Sequence, residues 1–256
     1  MIANYHTHTW RCNHAVGTEV EYVEKAISNG LKVLGFSDHT PYLFPGDYYS
    51  GFRMAPSQLP GYVRTVLKLK EEYKEQLEIH LGLETEYYPD LFPKLLELLS
   101  DHPMEYMILG QHLLGNEMGE VYCGSKTEDE EILRRYCYQS MDAMNTGKFT
   151  YFAHPDLIHY VGSKKIYQQY MREVCQEANS CHMPVELNLL GLAEHKHYPN
   201  PRFWEIAAEE NCQVVLGRDA HDPNAFDGVK YEKKALKIVK KLSLNLQPKI
   251  DLRPFQ

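Results

Sequence analysis

Histidine is the residue type whose number and spacing most clearly indicate chemistry in this chain. The sequence has 13 histidines among 256 residues; His6 and His8 are two residues apart, as are Asp219 and His221. Side chains alternate across a β-strand, so residues two apart point to one face, about 6 to 7 Å from each other along the strand. Imidazole and carboxylate groups are common ligands of divalent metal ions. Each pair is therefore predicted to chelate a metal ion.

Further candidate ligands stand singly near the ends of other predicted strands. Taken alone, a half-buried histidine at a strand end is more often an ordinary hydrogen-bonded side chain. Such residues recur along the whole chain, however, and together they indicate a polynuclear metal site. Glu86 shares the strand face of Glu84 and remains an alternative ligand to it. The single candidates are His39, Glu84, His112 and His154, with His14 from the first loop.

The overall charge and hydropathy argue against several classes of protein. The net charge is -8, whereas a protein that binds nucleic acid broadly needs a basic face. The apolar runs are short and broken by charged residues, and the N-terminal residues lack a hydrophobic stretch of signal-peptide length. We therefore expect no nucleic-acid partner, no membrane partner and a cytoplasmic location.

The six cysteines are scattered along the chain and include no Cys-x-x-Cys pair. This pattern indicates neither a zinc ribbon nor a redox dithiol. We expect free thiols, most of them buried.

Seven apolar runs predict the strands that must position the candidate ligands. A segment with helical spacing follows each run, and this alternation predicts an α/β fold with a parallel sheet. No linker rich in glycine, proline or serine divides the chain, so we expect one domain over residues 1–256, with a surface tail after about residue 242. The expected architecture is a TIM-like (βα)7 barrel with the ligands at its C-terminal mouth. The predicted strands cover 2–8, 32–38, 77–86, 106–112, 150–154, 184–189 and 213–218.

The connections between the strands carry local signals of their own. Thr18 begins the first helix with a capping box, and Gly30 ends that helix. Thr127 repeats the device before a later helix, which Gly147 ends. The segment 41–58 is too long for an ordinary strand-to-helix connection, so we expect it to form a loop over the site.

The motifs around the candidate ligands resemble those of the PHP (polymerase and histidinol phosphatase) family, specifically its monofunctional histidinol-phosphatase branch. Tyr122-x-Gly124 and Tyr198-Pro199 also resemble this branch, and the resemblance covers nearly the whole chain. It implies a distorted seven-stranded (βα) barrel with a trinuclear metal centre at the C-terminal mouth. The motifs are His6-x-His8, His14, Ser37-Asp38-His39, Gly82-Leu83-Glu84, Gly110-Gln111-His112, His154-Pro155-Asp156, Glu186-Leu187-Asn188 and Gly217-Arg218-Asp219-Ala220-His221.

The resemblance also implies how the ligands divide among three divalent ions, which we expect to be Zn, Mn or Fe. A first ion is assigned to His6, His8, Glu84 and Asp219. A second is assigned to Glu84, His112 and His154, and a third to His14, His39 and His221. A hydroxide that bridges two ions, held in place by Glu84, His112 and Asp219, is the implied nucleophile. Asp38 and Asp156, each next to a ligand, are expected either to orient imidazoles or to cap loops.

The substrate-binding residues are less well defined, because the sequence departs from the branch at one position. Relatives carry an arginine after Asn-x-x-Gly-Leu, whereas Ala193 follows Leu192 here. Arg218, before Asp219, could grip a phosphate in its place, although strand alternation places it on the opposite side from Asp219. The other candidates from loops at the mouth are Arg53, Arg11, Arg202 and His195.

The resemblance implies a phosphomonoesterase, with hydrolysis of L-histidinol phosphate to histidinol and phosphate in histidine biosynthesis as the expected reaction. The substrate would be a small phosphorylated metabolite. Two alternatives remain at this stage: a phosphoesterase of the same family that acts on another small ester or a nucleotide, and a metal-binding domain without catalysis. An amidohydrolase also begins with His-x-His on a barrel strand, but it has no counterpart of His14 and His39.

Overall fold

The computed structural model describes residues 1–118 and 121–254. Its centre is one sheet of eight parallel strands in sequence order. The α/β class and the parallel sheet are therefore confirmed. The strands are β1 (Ala3–Asn4), β2 (Val33–His39), β3 (Glu78–Thr85), β4 (Tyr106–Leu109), β5 (Tyr151–Phe152), β6 (Val185–Asn188), β7 (Gln213–Gly217) and β8 (Asn245–Leu246).

The predicted count of seven strands is wrong, because the stretch after residue 242 contributes β8. This strand pairs with the first half of β7, where Gln213 is opposite Asn245 and Val214 is opposite Leu246. Two residues are too few to show a period of alternation, so apolar periodicity does not predict this strand. At the other end of β7, an isolated parallel bridge joins Thr7 to Ala220. The sheet is thus curled, and this bridge connects the segments that follow β1 and β7.

Helices lie between the strands and pack on the outside of the sheet. The two faces of the strands belong to separate apolar clusters: Val33, Ile108 and Val215 face one of them, and Leu34, Leu109 and Leu216 face the other, larger one. The larger cluster also contains the buried residues of the helices. The helices are α1 (Glu19–Ser28), α2 (Leu59–Glu72), α3 (Phe92–Leu99), α4 (Glu130–Asn145), α5 (Lys164–Ser180), α6 (Leu189–Ala193), α7 (Pro201–Glu209) and α8 (Val229–Leu242).

The predicted helix signals are confirmed at α1 but not at the start of α4. Thr18 caps α1 in a complete capping box, and Gly30 follows the helix with a φ of 78°. Asp129, rather than Thr127, is the N-cap of α4, since its carboxylate accepts a hydrogen bond from the backbone of Glu131. The predicted start at Thr127 is wrong because this residue pairs in a bridge with Tyr160.

The predicted state of the cysteines is confirmed. All six cysteines are free, and all but Cys181 are buried. Within the described parts of the chain, no helix has both the length and the hydropathy that a bilayer crossing requires.

Candidate metal centre

The carboxyl ends of the strands bring all the predicted metal ligands together around one open cavity. His6 and His8 follow β1, His39 and Glu84 lie at the ends of β2 and β3, and Asp219 follows β7. Because the strands are parallel, their carboxyl ends share one edge of the sheet, and the following loops meet above it. The cavity has a volume of about 560 Å³.

The first group of ligands converges on a single point beneath the cavity. His6 Nε2 lies 3.4 Å from Glu84 Oε2 and 3.4 Å from Asp219 Oδ1. The corresponding distances from His8 Nε2 are 3.3 and 3.2 Å. Four donors bonded at about 2.0 to 2.2 Å to a tetrahedral ion stand about 3.3 to 3.6 Å apart, so the spacing fits one such ion. Neither Nε2 atom, both of them buried, has a hydrogen-bond partner in the described part of the protein.

The second group uses the other oxygen of the same carboxylate. Glu84 Oε1 lies 2.9 Å from His154 Nε2 and 3.5 Å from His112 Nε2. Glu84 therefore faces the first group with Oε2 and the second with Oε1. This geometry suits a carboxylate that bridges two metal ions.

The third group lies nearer the cavity mouth. One donor atom from each of His14, His39 and His221 falls within 4.8 Å of the others. Nδ1 of His14 lies 2.7 Å from the carbonyl oxygen of Cys12, and Nδ1 of His221 lies 3.0 Å from that of Asp219. These contacts leave Nε2 of each ring for a metal. His39 Nδ1 is buried without a hydrogen-bond partner among the described residues, although it also lies 3.2 Å from Glu84 Oε2.

Carboxylates behind the imidazoles fix the orientation of two rings. His6 Nδ1 lies 3.0 Å from Glu186 Oε2, and His112 Nδ1 lies 2.9 Å from Glu86 Oε1. Asp38 Oδ1 lies 3.6 Å from His8 Nδ1, beyond hydrogen-bond distance, and accepts a hydrogen bond from the backbone of His39 at 2.8 Å instead. A carboxylate that accepts a hydrogen bond from Nδ1–H fixes the ring tautomer and turns Nε2 toward a metal.

The positions of two of these carboxylates, Glu86 and Glu186, are not predicted from the sequence. Glu86, the alternative to Glu84, stands behind His112 instead of among the donors, since β3 ends at Thr85. Glu186 belongs to the Glu186-Leu187-Asn188 motif, for which no ligand or orienting role is predicted from the sequence. Its place on the strand, two residues before Asn188, is the signal that could have identified it as facing the same interior.

Glycines at the ends of two strands make room for these carboxylates. A Cβ atom on Gly110 would lie 2.0 Å from Glu84 Oε1, and one on Gly217 would lie 1.7 Å from Glu186 Oε1. Real side chains never approach so closely. The glycines of the Gly-Gln-His and Gly-Arg-Asp-Ala-His motifs thus allow the acids to reach the imidazoles.

Burial and the charges of neighbouring side chains set the protonation states of Glu84, His39 and His221. Burial raises the pKa of Glu84, but the surrounding imidazoles, that of His112 most, hold it well below its ordinary value. Burial lowers the pKa of His39 far below its ordinary value and, together with His8, lowers that of His221 to about 3. The Glu84 carboxylate is therefore ionised and these two imidazoles are neutral, which are the forms that bind metal ions.

The predicted substrate-binding residues are not brought to the cavity. Arg218 donates hydrogen bonds to Glu232 Oε2 at 2.9 Å and to the carbonyl of Ala225 at 2.8 Å, on the outer side that strand alternation favoured. Arg53 is buried in ion pairs with Glu86 and Glu117. Among the described residues that line the cavity there is no Arg11, Arg53, Arg202, Arg218 or His195. Ion pairs with carboxylates hold Arg11, Arg53 and Arg218 away from the cavity, which does not support a direct phosphate-gripping role for these three, and the role stays a prediction for Arg202 and His195.

Arg11 and Asp156 have structural roles that the sequence did not separate from functional ones. Arg11 is buried and pairs with Glu19 at the start of α1. Asp156 Oδ2 accepts hydrogen bonds from the backbone of Asn200 at 2.5 Å and from the indole of Trp204 at 3.0 Å. Of the two roles predicted for Asp156, loop capping is therefore the one its contacts match.

Several residues line the cavity that the sequence analysis assigned no role. Gly51 and Phe52 come from the segment 41–58, so this loop does reach the site as predicted. Tyr122 and Tyr198, which belong to two of the family motifs, line the cavity. Glu194 and Lys196, from the connection between α6 and α7, line it as well. Lys196 was not among the predicted phosphate-binding residues, which were arginines and one histidine.

Comparisons with known proteins agree with this fold. The PHP domain model matches residues 4–189. The probable histidinol-phosphatase of Deinococcus radiodurans is 29% identical over 228 residues, which cover 87% of each chain. The histidinol-phosphatase of Lactococcus lactis is 26% identical over 164 residues, which cover 62% of this chain and 58% of the relative.

A solved structure has the same architecture. It is the crystal structure of histidinol phosphate phosphatase from Lactococcus lactis, in complex with zinc, L-histidinol and phosphate. The two structures superpose with a TM-score of 0.74 at 20% identity, over 97% of this chain and 96% of the other. Given the family match over most of its length, the chain belongs to the PHP domain family.

Proposed function

We propose that the chain is a metal-dependent phosphomonoesterase that hydrolyses L-histidinol phosphate to histidinol and inorganic phosphate. The observation that carries the proposal is the set of four buried donor atoms from His6, His8, Glu84 and Asp219, spaced 3.2 to 3.4 Å from one another across the imidazole–carboxylate pairs. Both imidazole nitrogens lack a hydrogen-bond partner among the described residues, and a divalent cation at the centre of the four donors would coordinate the nitrogens and the carboxylate oxygens together.

We assign three divalent ions to the ligand groups. The first is held by His6, His8, Glu84 and Asp219, the second by Glu84, His112 and His154, and the third by His14, His39 and His221. When bound, such ions lower the pKa of a coordinated water and neutralise charge on the phosphoryl oxygens. In this proposal Glu84, His112 and Asp219 surround the position of the nucleophile.

Other residues of the site orient the ligand imidazoles and support them from behind. Glu186 and Glu86 accept hydrogen bonds from Nδ1 of His6 and His112, which turns Nε2 of each ring toward the metal position. The ionic network of Arg53 with Glu86 and Glu117 supports this layer from the segment 41–58. A buried network of this kind holds the ligands in place before any ion binds.

The shape of the cavity suits a small organic phosphate. Its volume of about 560 Å³ lies within the range of ordinary metabolite pockets. Leu157 and Leu190 give it apolar surface, and Phe52, Tyr122 and Tyr198 give it aromatic rings. Such rings are suitable partners for the imidazole of histidinol phosphate, because planar aromatic groups stack favourably.

The relatives supply the reason for choosing this substrate. Proteins named histidinol-phosphatases match this chain, one of them over 87% of its length. We infer that residues 1–256 act as a single phosphoesterase domain on one small phosphorylated metabolite.

Phosphate release by the purified protein tests the proposal. The protein is stripped of metal with a chelator, reloaded with Zn or Mn, and given L-histidinol phosphate, p-nitrophenyl phosphate or a short oligonucleotide. We expect metal-dependent release that is fastest from L-histidinol phosphate, and a loss of at least about 100-fold in His112→Ala. His182→Asn, which changes an exposed histidine outside the cavity lining, is the matched control.

The other outcomes separate the alternatives. Cleavage of p-nitrophenyl phosphate without cleavage of L-histidinol phosphate would reject the substrate and keep the reaction. Cleavage of the oligonucleotide alone would favour a nucleic-acid substrate. A protein that binds metal and cleaves none of the three would refute the proposal as a whole.

A further inference from the structure

One lysine stands in a cavity otherwise lined by carboxylates, histidines and uncharged residues. Within residues 1–118 and 121–254, Lys196 is the sole lysine or arginine in the lining. Phosphate monoesters carry close to two negative charges at neutral pH, and their binding sites usually contain a cationic side chain.

The backbone places Lys196 on the rim of the cavity, on the side formed by α6. Its backbone N–H donates a hydrogen bond to the carbonyl of Gly191 at 3.0 Å. The ammonium group lies 5.9 Å from the centre of the Tyr198 ring, and that ring lies 6.1 Å from the ring of His154. Lys196 is therefore separated from a metal-ligand imidazole by a single aromatic side chain.

The present partner of Lys196 holds it weakly. Its Nζ lies 3.0 Å from Glu194 Oε2, but the two side chains are 36% and 53% exposed. Ion pairs this exposed contribute little, because water screens the attraction and two long side chains must be ordered. A dianionic ligand in the cavity can therefore attract the ammonium group away from Glu194 at small cost.

We propose that Lys196 is the anchor for the phosphate group and that Glu194 competes with the phosphate for it; this rests on the proposed function. A lysine binds phosphate as a flexible point charge, whereas arginine binds it as a rigid fork. The buried arginines near the site cannot share this role, since Arg53, Arg11 and Arg218 are each paired with a carboxylate.

The experiment measures phosphate binding and turnover separately. Calorimetry gives the dissociation constant of inorganic phosphate for the metal-loaded protein, and steady-state kinetics give kcat and KM for L-histidinol phosphate. The variants are Lys196→Met, Lys196→Arg and Glu194→Gln. Lys68→Met is the matched control, because Lys68 also forms an exposed pair with a glutamate, at 3.5 Å, but lies on α2 outside the cavity lining.

We expect Lys196→Met to weaken phosphate binding and to raise KM about 10- to 100-fold, the effect of losing one charge-assisted hydrogen bond. Metal content and thermal stability should not change. Lys196→Arg should restore most of the binding, and Glu194→Gln should tighten it, since it removes the competing charge. A merely structural role for Lys196 would not produce opposite effects in the two neighbours.

Unchanged phosphate binding in Lys196→Met, or no phosphate binding by the unmodified protein, would overturn the proposal. Lys196-dependent phosphate binding without hydrolysis of any ester would support the anchor while rejecting the proposed function. Hydrolysis of L-histidinol phosphate that is indifferent to Lys196 would do the reverse.

Discussion

Replacing Glu186 by glutamine tests whether the carboxylates behind the imidazoles set the affinity for metal. Both oxygens of Glu186 lie near His6 Nδ1, at 3.2 and 3.0 Å, and both side chains are fully buried. The substitution keeps the size of the side chain and one acceptor oxygen but removes the negative charge. His6 should then hold its ion with a less basic and less firmly oriented ring.

The expected size of the effect follows from the type of hydrogen bond that is lost. A bond to a charged group contributes about 1.5 to 3 kcal/mol and a neutral one about 0.5 to 1.5 kcal/mol. Their difference is about 1 to 2 kcal/mol, or about tenfold in a dissociation constant. Glu186→Ala removes the acceptor altogether and should weaken binding further, toward about 100-fold.

Competition with a chromophoric zinc chelator measures this effect. We expect Glu186→Gln to shift the affinity for one ion, that of the group containing His6, while the affinity for the others changes little. Glu128→Gln, on an exposed residue, is the control. Equal zinc affinity in the unmodified protein, Glu186→Gln and Glu186→Ala, with all three folded, would refute the reasoning.

Three further predictions concern space, ion pairs and pH. Gly110→Ala should lower the affinity for two ions at once in the same competition assay, because its Cβ would lie 2.0 Å from Glu84 Oε1; undiminished binding would show that the carboxylate has another position available. Arg218→Met should lower the free energy of unfolding in urea by about 2 kcal/mol, since it removes a charge-assisted hydrogen bond to Glu232, which keeps its ion pair with the N-terminal ammonium of Met1, yet leave KM unchanged; a large rise in KM would restore Arg218 to the substrate site. Glu105→Gln should destabilise the protein by about 1 to 2 kcal/mol at pH 7, after allowance for partial exposure. Burial opposes its ionisation, but His80 and Lys70 lower the pKa of Glu105 from 4.5 to about 2, so its stabilising effect is complete above the unfolded-state value and is lost as the pH falls through the folded-state value. Urea unfolding of the two proteins should therefore converge toward pH 2, and a difference independent of pH would contradict the assignment.

The candidate ligands could be predicted from the sequence because their signal is local. His6 and His8 are two residues apart directly after β1, and His39 and Glu84 stand at the ends of β2 and β3, so residue type and position relative to a strand are enough to identify them. The order of strands and helices follows from apolar periodicity in the same way. Each of these inferences needs only a few neighbouring residues.

Features that depend on distant partners could not be read in this way. Arg218 points outward and forms an ion pair with Glu232 on α8. Arg53 forms ion pairs with Glu86 and Glu117. The sequence shows that an arginine is present but not which acid reaches it. Similarly, β8 exists because β7 offers an edge to a two-residue segment.

The roles of Glu186 and Lys196 depend partly on local sequence and partly on distant partners. Alternation along β6 places Glu186 on the interior face, but only the structure shows His6 beside it. Lys196 lies in a connection between two helices, where no period fixes the direction of side chains. Loop residues of this kind become interpretable once the cavity that they line is known.

Anomalous X-ray diffraction from crystals of the protein grown with zinc, recorded on both sides of the zinc absorption edge, tests the central claim most directly. We predict three peaks at the carboxyl ends of the strands, the first within bonding distance of His6, His8, Glu84 and Asp219, and the others bounded by the two remaining histidine groups. A crystal with the same fold and no peak among these side chains would contradict the account.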